Sequence, residues 1–482
     1  MDKATILSRL RAILGPAGVL HRPEDVALYE YDGALDKARP DFVVFPETAR
    51  QVAAVVQVAN AAGLPFMPRG AGTGLSGGAV AIEGGIVVSF ARMNQILEID
   101  LANQRAAVQP GVVNIDVTNA VSGDGFYYVP DPSSQRACTI GGNIAENSGG
   151  PHFLAYGVTA NHTLTLEVVL PDGEVVDLGL PTADPPGYDL TGLMVGSEGT
   201  LGLVTEAVVR LVHLPETVTT LLAVFDDVNE ASNAVSAIIA DGTIPAALEM
   251  MDNVAIRAVE AAKKCGYPTD AAAVLLIDLE GFYDGIQELT AHVGELCRRN
   301  GAREIRPAKS AAERDKLWSG RKGAFGAMGR LSPSYYVQDG VIPRTRLPQV
   351  LRRIGEIGEE YGFTIANVFH AGDGNLHPLI LFDERDPAQV RGVVKAGSAI
   401  LRACVEAGGS ISGEHGIGVE KREDMCEQFS GEDLRAMAQV KAAFNPLNLC
   451  NPGKVFPTSK ACYEVGKRHR RLPRVVEEDH TL

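Results

Sequence analysis

A chain of 482 residues is too long for one hydrophobic core and implies two or three domains. Its formal net charge of −16 argues against nucleic acid or an anionic membrane surface as main partner, and 45% hydrophobic residues is ordinary for a globular enzyme. Seven cysteines without a CxxC pair exclude a disulfide framework, a zinc knuckle and iron–sulfur ligation within the chain, so reduced thiols and a cytoplasmic location are expected.

The opening MDKATILSRLRAILG reads as a short amphipathic helix without the apolar core of a signal peptide, and no later run is long enough to span a bilayer. The spacing predicts a helix over 48–62: Thr48 and Gln51 make a capping box, Val52, Val55, Val56 and Ala59 the buried stripe, and Gly63 the stop. LPFMP follows as a strand, and then RGAGTGLSGG (69–78). Gly72, Gly74 and Gly77 spell GxGxxG. A Rossmann unit would need a helix opening at the second glycine and an acidic residue about twenty positions on. Here the chain runs through Gly84-Gly85 into the strand IVVSF, so that reading is rejected. The glycines instead expose backbone N–H groups able to cradle a pyrophosphate, with Arg69 beside them.

Strands near 96–99 and 105–109 lead to a second loop, PDPSSQRACTIGGNIAENSGG (130–150), and LTLEVVLPDGEVVDL (164–178) reads as a hairpin with a Pro-Asp-Gly turn. GSEGTLGLVT (196–205) and NPGKVF (451–456) repeat the small-residue texture. Four such loops suit a long ligand carrying a pyrophosphate and a heteroaromatic ring. From residue 216 strands alternate with amphipathic helices, which predicts an α+β domain with helices on one face of a largely antiparallel sheet. LWSGRKGAFGAMGR (317–330) reads as a helix carrying Arg321 and Lys322, and 390–408 and 431–444 as two more. The expected division is a ligand domain at 1–215, a cap at 216–425, a C-terminal segment at 426–460 completing the first domain, and a charged tail at 461–482.

One stretch sets the chemistry. In NVFHAGDGNLHP (367–378), His370 and His377 bracket two glycines and two turn formers, so a hairpin brings the imidazoles together rather than a helix. SGEHGIG adds Glu414 and His415. Two histidines and a carboxylate match a three-ligand divalent metal site with open positions, leaving His415 as a candidate general base. Adjacent side chains on a strand face opposite ways, so Glu414 and His415 share a site only if Gly413 and Gly416 bend the backbone.

These motifs, in this order over roughly residues 20–457, resemble the FAD-linked oxidase superfamily of vanillyl-alcohol oxidase and p-cresol methylhydroxylase, in its D-2-hydroxyacid dehydrogenase branch and most of all the flavin subunits of glycolate-oxidase-like systems. The resemblance implies an FAD domain of two α+β subdomains, not a Rossmann fold, with an α+β cap. It implies cofactor contacts from Arg69, Gly70, Gly72, Thr73 and Gly74, from Asp131, Pro132, Ser133, Thr139, Gly141, Gly142, Asn143 and Gly149, and from Glu198, Gly199, Val204, Asn451 and Lys454. It further implies that His370, His377 and Glu414 bind zinc or manganese, that His415 is the base and that Arg321 pairs the substrate carboxylate. The first glycine loop lacks the histidine of many covalently flavinylated relatives, which implies non-covalent FAD. Asn161-His162 replaces the Arg-Asp of many relatives. Leu379 stands where relatives acting on longer dicarboxylates carry Asn, which favours a short substrate.

The expected reaction is oxidation of a short 2-hydroxy acid, glycolate foremost, to the 2-keto acid with hydride passing to flavin N5; D-lactate or another D-2-hydroxy acid is the alternative. Electrons then leave to a quinone-linked acceptor or a partner, in such systems an iron–sulfur subunit and a second flavin-type subunit. A homo- or hetero-oligomer is expected, with any membrane association made through that partner. The rivals are a flavin-free metallohydrolase, a non-redox alkyl-transferring flavoprotein and a non-catalytic scaffold.

Overall fold

Short apolar runs build the first sheet of the computed structural model, which describes residues 1–182 and 186–458. The expected tail at 461–482 lies outside them. β1 (Val19–Leu20), β2 (Phe42–Val44), β3 (Phe66–Arg69) and β4 (Ile86–Ser89) stand in the order β1-β2-β4-β3, with β2 and β3 parallel to β4. β2 and β4 are buried on both faces, as covered parallel strands require. The helix Ala49–Ala62 joins β2 to β3; Thr48 accepts from the Gln51 N–H at 3.3 Å and Gly63, at φ 62°, ends it. Residues 70–85 form a loop with no helix between β3 and β4, which is where the fold departs from a Rossmann unit. The C-terminal return closes the free edge of β3: Phe66 N–H donates to Leu449 O at 2.8 Å and Asn451 N–H to Phe66 O at 2.7 Å.

The second unit holds β5 (Ile96–Asp100), β6 (Arg105–Val108), β7 (Phe126–Tyr127), β8 (Thr163–Val169), β9 (Val175–Gly179), β10 (Leu203–Arg210) and β11 (Val212–His213). Five of these form the antiparallel sheet β5-β6-β10-β8-β9, and β7 pairs with β11. The predicted Pro-Asp-Gly hairpin is β8–β9, with Gly173 at φ 93°.

Seven antiparallel strands make the third sheet: β12 (Thr217–Phe225), β13 (Ala247–Asp252), β14 (Ala273–Gly281), β15 (Glu304–Pro307), β16 (Ser334–Val337), β17 (Ile365–His370) and β18 (Pro378–Phe382), in the order β15-β12-β14-β13-β17-β18-β16. Both faces are covered, which corrects the one-faced expectation. Strands such as AVLLI at 273–277 are apolar at every position, so each face needs a cover. Helices Val228–Ala240, Ile286–Arg299, Leu347–Tyr361 and Pro387–Glu406 bury one face, and Asn253–Lys263 and Ala311–Lys322 the other. The helix expected at 317–330 starts earlier, where Ser310 accepts from the Glu313 N–H at 3.2 Å, and breaks at Gly323, where a Cβ would lie 2.4 Å from the Lys263 side chain.

Among the described residues no helix is long and apolar enough to cross a membrane. Cys138, Cys265, Cys297, Cys404 and Cys450 are buried free thiols. Phe369, 1% exposed on β17, anchors the strand that ends in His370. Phe369→Ala should lower stability by about 3–5 kcal/mol, read as an earlier midpoint in urea denaturation.

Candidate active site

Strand periodicity places four side chains on one face of the third sheet. Met251 of β13, Val368 of β17, Leu379 of β18 and Val337 of β16 all belong to the same core cluster, and Glu249, His370, His377 and Asp339 each stand two positions away. Glu249 and His370 are directly paired across β13 and β17. The expected hairpin is present, with β17 and β18 antiparallel and His370 bridged to Asn375. His370 and His377 meet edge to face, ring centroids 5.1 Å apart.

Glu414 and His415 arrive on the loop after helix Pro387–Glu406, and the bend that lets both enter the site is made by Asp339. Its buried carboxylate accepts the N–H groups of Gly413 (3.0 Å), Glu414 (3.3 Å) and His415 (2.9 Å), together with the Ser412 hydroxyl (2.7 Å) and Lys421 Nζ (3.1 Å). Lys421 also donates to Gly416 O at 3.0 Å, and Gly416 turns at φ 79°. A Cβ on Gly413 would lie 2.6 Å from the Asn375 side chain. So held, Glu414 Oε1 lies 3.1 Å from both His370 Nε2 and His377 Nε2, and the His415 ring stacks on His377 at 4.8 Å with 4° between planes.

His370 Nδ1 is 2.7 Å from Glu249 Oε1, and Glu249 Oε2 is 2.6 Å from Arg321 Nη2. This carboxylate fixes the ring so that Nε2 faces Glu414. Burial alone would push the His370 imidazole down, but the Glu249 and Glu414 carboxylates overcome it and hold it well above its ordinary range. Burial would likewise raise Asp339; Lys421, His415 and His377 outweigh it and pull the carboxyl down. His415 goes the other way: burial drives it to about 4 against the pull of Asp339, leaving a neutral imidazole. The described residues offer two sets of metal-type donors, His370 with His377 and Glu414, and Asp339 with His377 and His415. In the second, Asp339 is already spent on N–H and ammonium donors, so the first fits a cation better.

One cavity runs from His377, Glu414 and His415 to the glycine loops. Arg69, Gly70, Gly72, Thr73 and Gly74 line it, followed by Pro132, Ser133, Thr139, Gly141, Gly142 and Asn143, and then Glu198, Gly199 and Val204. The N–H groups of residues 70–75 donate to no acceptor among the described residues. Six consecutive unspent donors on a cavity wall make a cradle for an anion. Arg69, just before the cradle, ties it to Ala79 O (3.0 Å) beyond its far side and to Tyr31 O (2.8 Å) of an earlier segment, and Glu198 ties the third loop to the His415 loop through the N–H groups of Ile417 (2.7 Å) and Gly418 (2.6 Å).

Several expected residues lie behind the wall rather than on it. Asp131 is occupied by His152 Nδ1 (3.0 Å) and Lys322 (3.5 Å), and it is Lys322 that reaches the cavity. Asn451 donates to Glu198 O at 2.7 Å and Lys454 to Val80 O at 2.6 Å, bracing two loops. At Gly149 a Cβ would stand 3.0 Å from Glu414 Oε2. Arg321 is 2% exposed, and its Nε has no acceptor among the described residues. Leu379 is packed in the cap core. His162 Nε2 donates to Tyr156 O (3.0 Å), and Asn161 Oδ1 accepts the Val158 N–H (3.0 Å), so both serve local structure.

Residues 40–179 match the FAD binding domain family and residues 214–455 the C-terminal domain of FAD linked oxidases. The chain is 48% identical over 470 residues to the glycolate oxidase subunit GlcD of Escherichia coli strain K12, covering 97% of this chain and 94% of that one.

The chain belongs to the FAD-linked oxidases.

It is also 36% identical over 425 residues to a D-lactate dehydrogenase of Archaeoglobus fulgidus, covering 87% of this chain and 92% of the relative. It shares its fold with p-cresol methylhydroxylase, at TM-score 0.77 and 16% identity over 94% of this chain and 96% of that one. This FAD-linked oxidase is thus an FAD-dependent hydroxyacid oxidoreductase.

Sequence reasoning missed Asp339, Glu249 and Lys421. Glu249 left a signal, a lone charge inside the apolar strand AALEMM, whereas Asp339 looks like a turn former in Gln-Asp-Gly. Asp339→Asn should destabilise the protein by about 3–5 kcal/mol, because Lys421 stays buried without its counter-charge. Urea titrations of the variant and its parent at neutral pH check this.

Proposed function

We propose that the protein oxidises a short 2-hydroxy acid, glycolate foremost, to the 2-keto acid with non-covalently bound FAD. One observation carries the reading: the unspent N–H cradle at 70–75 opens into the same cavity as His377, Glu414 and His415. A dinucleotide's phosphates need the first, and a reacting alcohol next to its ring needs the second. In this reading residues 1–215 with 426–460 hold the cofactor and residues 216–425 form the cap. Gly70, Gly72, Thr73 and Gly74 take the pyrophosphate, while the 130–150 and 196–205 loops follow the rest of the cofactor. Bound FAD supplies the hydride acceptor. His370, His377 and Glu414 would hold a divalent cation, zinc or manganese by donor type, which supplies Lewis acidity towards the α-hydroxyl.

The chain's own groups do the rest. Arg321 is the expected anchor of the substrate carboxylate: it sits behind the cavity wall on Glu249, and its Nε, which has no acceptor among the described residues, is the donor left for a charge-assisted contact. Glu249 behind it holds both Arg321 and His370, so one carboxylate sets the spacing between the carboxylate anchor and the ligand set. His415 lies outside the ligand set, with Nε2 3.9 Å from Glu414 Oε1, and accepts the hydroxyl proton there. Electrons leave to a partner or a quinone-linked acceptor. The relative named as a glycolate oxidase subunit supports a multisubunit assembly, with iron–sulfur and second flavin-type subunits as candidates. The D-lactate dehydrogenase relative favours D-lactate as the alternative substrate.

Anaerobic titration of the yellow protein with glycolate should bleach the flavin band. Bleaching by D-lactate alone would select the alternative, and none by any 2-hydroxy acid would overturn the redox reading. His415→Ala should lower kcat by ~10²–10⁴-fold with FAD content unchanged, and wild-type turnover in that variant would remove the base assignment. Treatment with a chelator should abolish turnover without releasing FAD, and zinc or manganese should restore it; turnover unaffected by chelation would rule out the cation.

A further inference from the structure

Glu146 is a cavity-lining carboxyl that the proposed chemistry leaves unused. It is the last residue of the helix Ile140–Glu146, which ends at Asn147 in the left-handed region (φ 55°). A negative charge there sits at the unfavourable pole of the helix dipole. The carboxyl is wedged between two glycines of different loops. A Cβ on Gly78 would lie 2.7 Å from Glu146 Oε1, and one on Gly416 would lie 2.2 Å from Glu146 Oε2. The same point above Gly416 is 3.0 Å from Glu198 Oε1, so the two carboxyls are near neighbours.

They are not equivalent neighbours. Glu198 has two short backbone donors, Ile417 and Gly418, which stabilise its ionised form. Glu146 Oε2 is buried with no hydrogen-bond partner among the described residues. Two carboxylates so placed cannot both ionise, and the proton belongs on the one without donors.

We propose that Glu146 serves this cavity as a neutral carboxylic acid, an O–H donor to the bound flavin cofactor that turns into a repelling charge when ionised. Burial first, and then the Glu198 and Asp32 charges, raise its carboxyl well above the ordinary range, while Lys421 and Lys454 oppose them. As pH rises through that raised value, the donor is lost and a negative charge appears beside an anionic ligand, so affinity falls. The inference rests on FAD occupying this cavity.

The test measures FAD affinity of the apoprotein by quenching of flavin fluorescence across pH 6 to 9, for wild type, Glu146→Gln and Glu146→Met. Lys454, which burial holds down to about 8 against the charges of Glu198, Asp32 and Glu146, titrates in all three proteins; without the Glu146 charge it loses its proton earlier, so a fall found only in the wild type belongs to Glu146. Wild-type affinity should fall ~10-fold per pH unit above the Glu146 transition, because one proton is linked to binding. Glu146→Gln keeps a donor and should lack that extra fall. Glu146→Met keeps the volume without a donor and should bind more weakly at pH 6 and equally lack it, which carries the test if the Gln variant does not fold. Wild-type and variant profiles of identical shape would overturn the proposal. A wild-type protein that binds no FAD at any pH would instead remove the flavin reading on which it stands.

Discussion

The site depends on one buried carboxylate. Asp339 draws three successive backbone N–H groups and a hydroxyl onto itself and is balanced by Lys421. Consecutive N–H groups can converge on one anion only if the chain curls, and that curl turns Glu414 and His415 into the same space. The cost of burying Asp339 is met by full hydrogen bonding and an ammonium partner, without which a charge at 0% exposure would not persist.

Around that point the third sheet acts as a ruler. Adjacent antiparallel strands bring Glu249, His370, His377 and Asp339 to one face, and the packing of the opposite face holds the strands in register. Glu249 then couples the sheet to helix Ala311–Lys322 through Arg321. The first two sheets supply loops rather than side-chain chemistry: glycines at 70–78, 141–142 and 199 bring backbone close to the cavity. A cap face thus meets a wall of unspent backbone donors, with the cavity between them.

Much of this was legible in the residues. The hairpin at 367–378 followed from turn formers between β-prone arms, and the helix at 49–62 from Thr48 and Gly63. The absence of a Rossmann helix followed from the glycines at 84–85. Other features were not local. Arg321 and Lys322 are neighbours on one helix, yet the helix turn sends one to Glu249 and the other to the cavity. Asp131, Asn451 and Lys454 sit in the right loops, but their partners come from residues far along the chain, so nothing in their own stretch shows that they brace rather than line. The second helical layer of the cap was harder to read, because amphipathic helices show that they cover a face but not which face of the sheet they cover.

The pairing of Phe66 with Leu449 and Asn451 has a consequence for biosynthesis. β3 leads straight into the phosphate-type cradle, yet one of its edges is satisfied only by residues near the far end of the polypeptide. While the ribosome is still making the cap, that edge carries unpaired amide groups, an opening for wrong strand partners. The N-terminal half can therefore gather early around its apolar cores but cannot finish its cavity wall until residues 449–451 have emerged. Acquisition of the cofactor is in this way tied to synthesis of that returning segment.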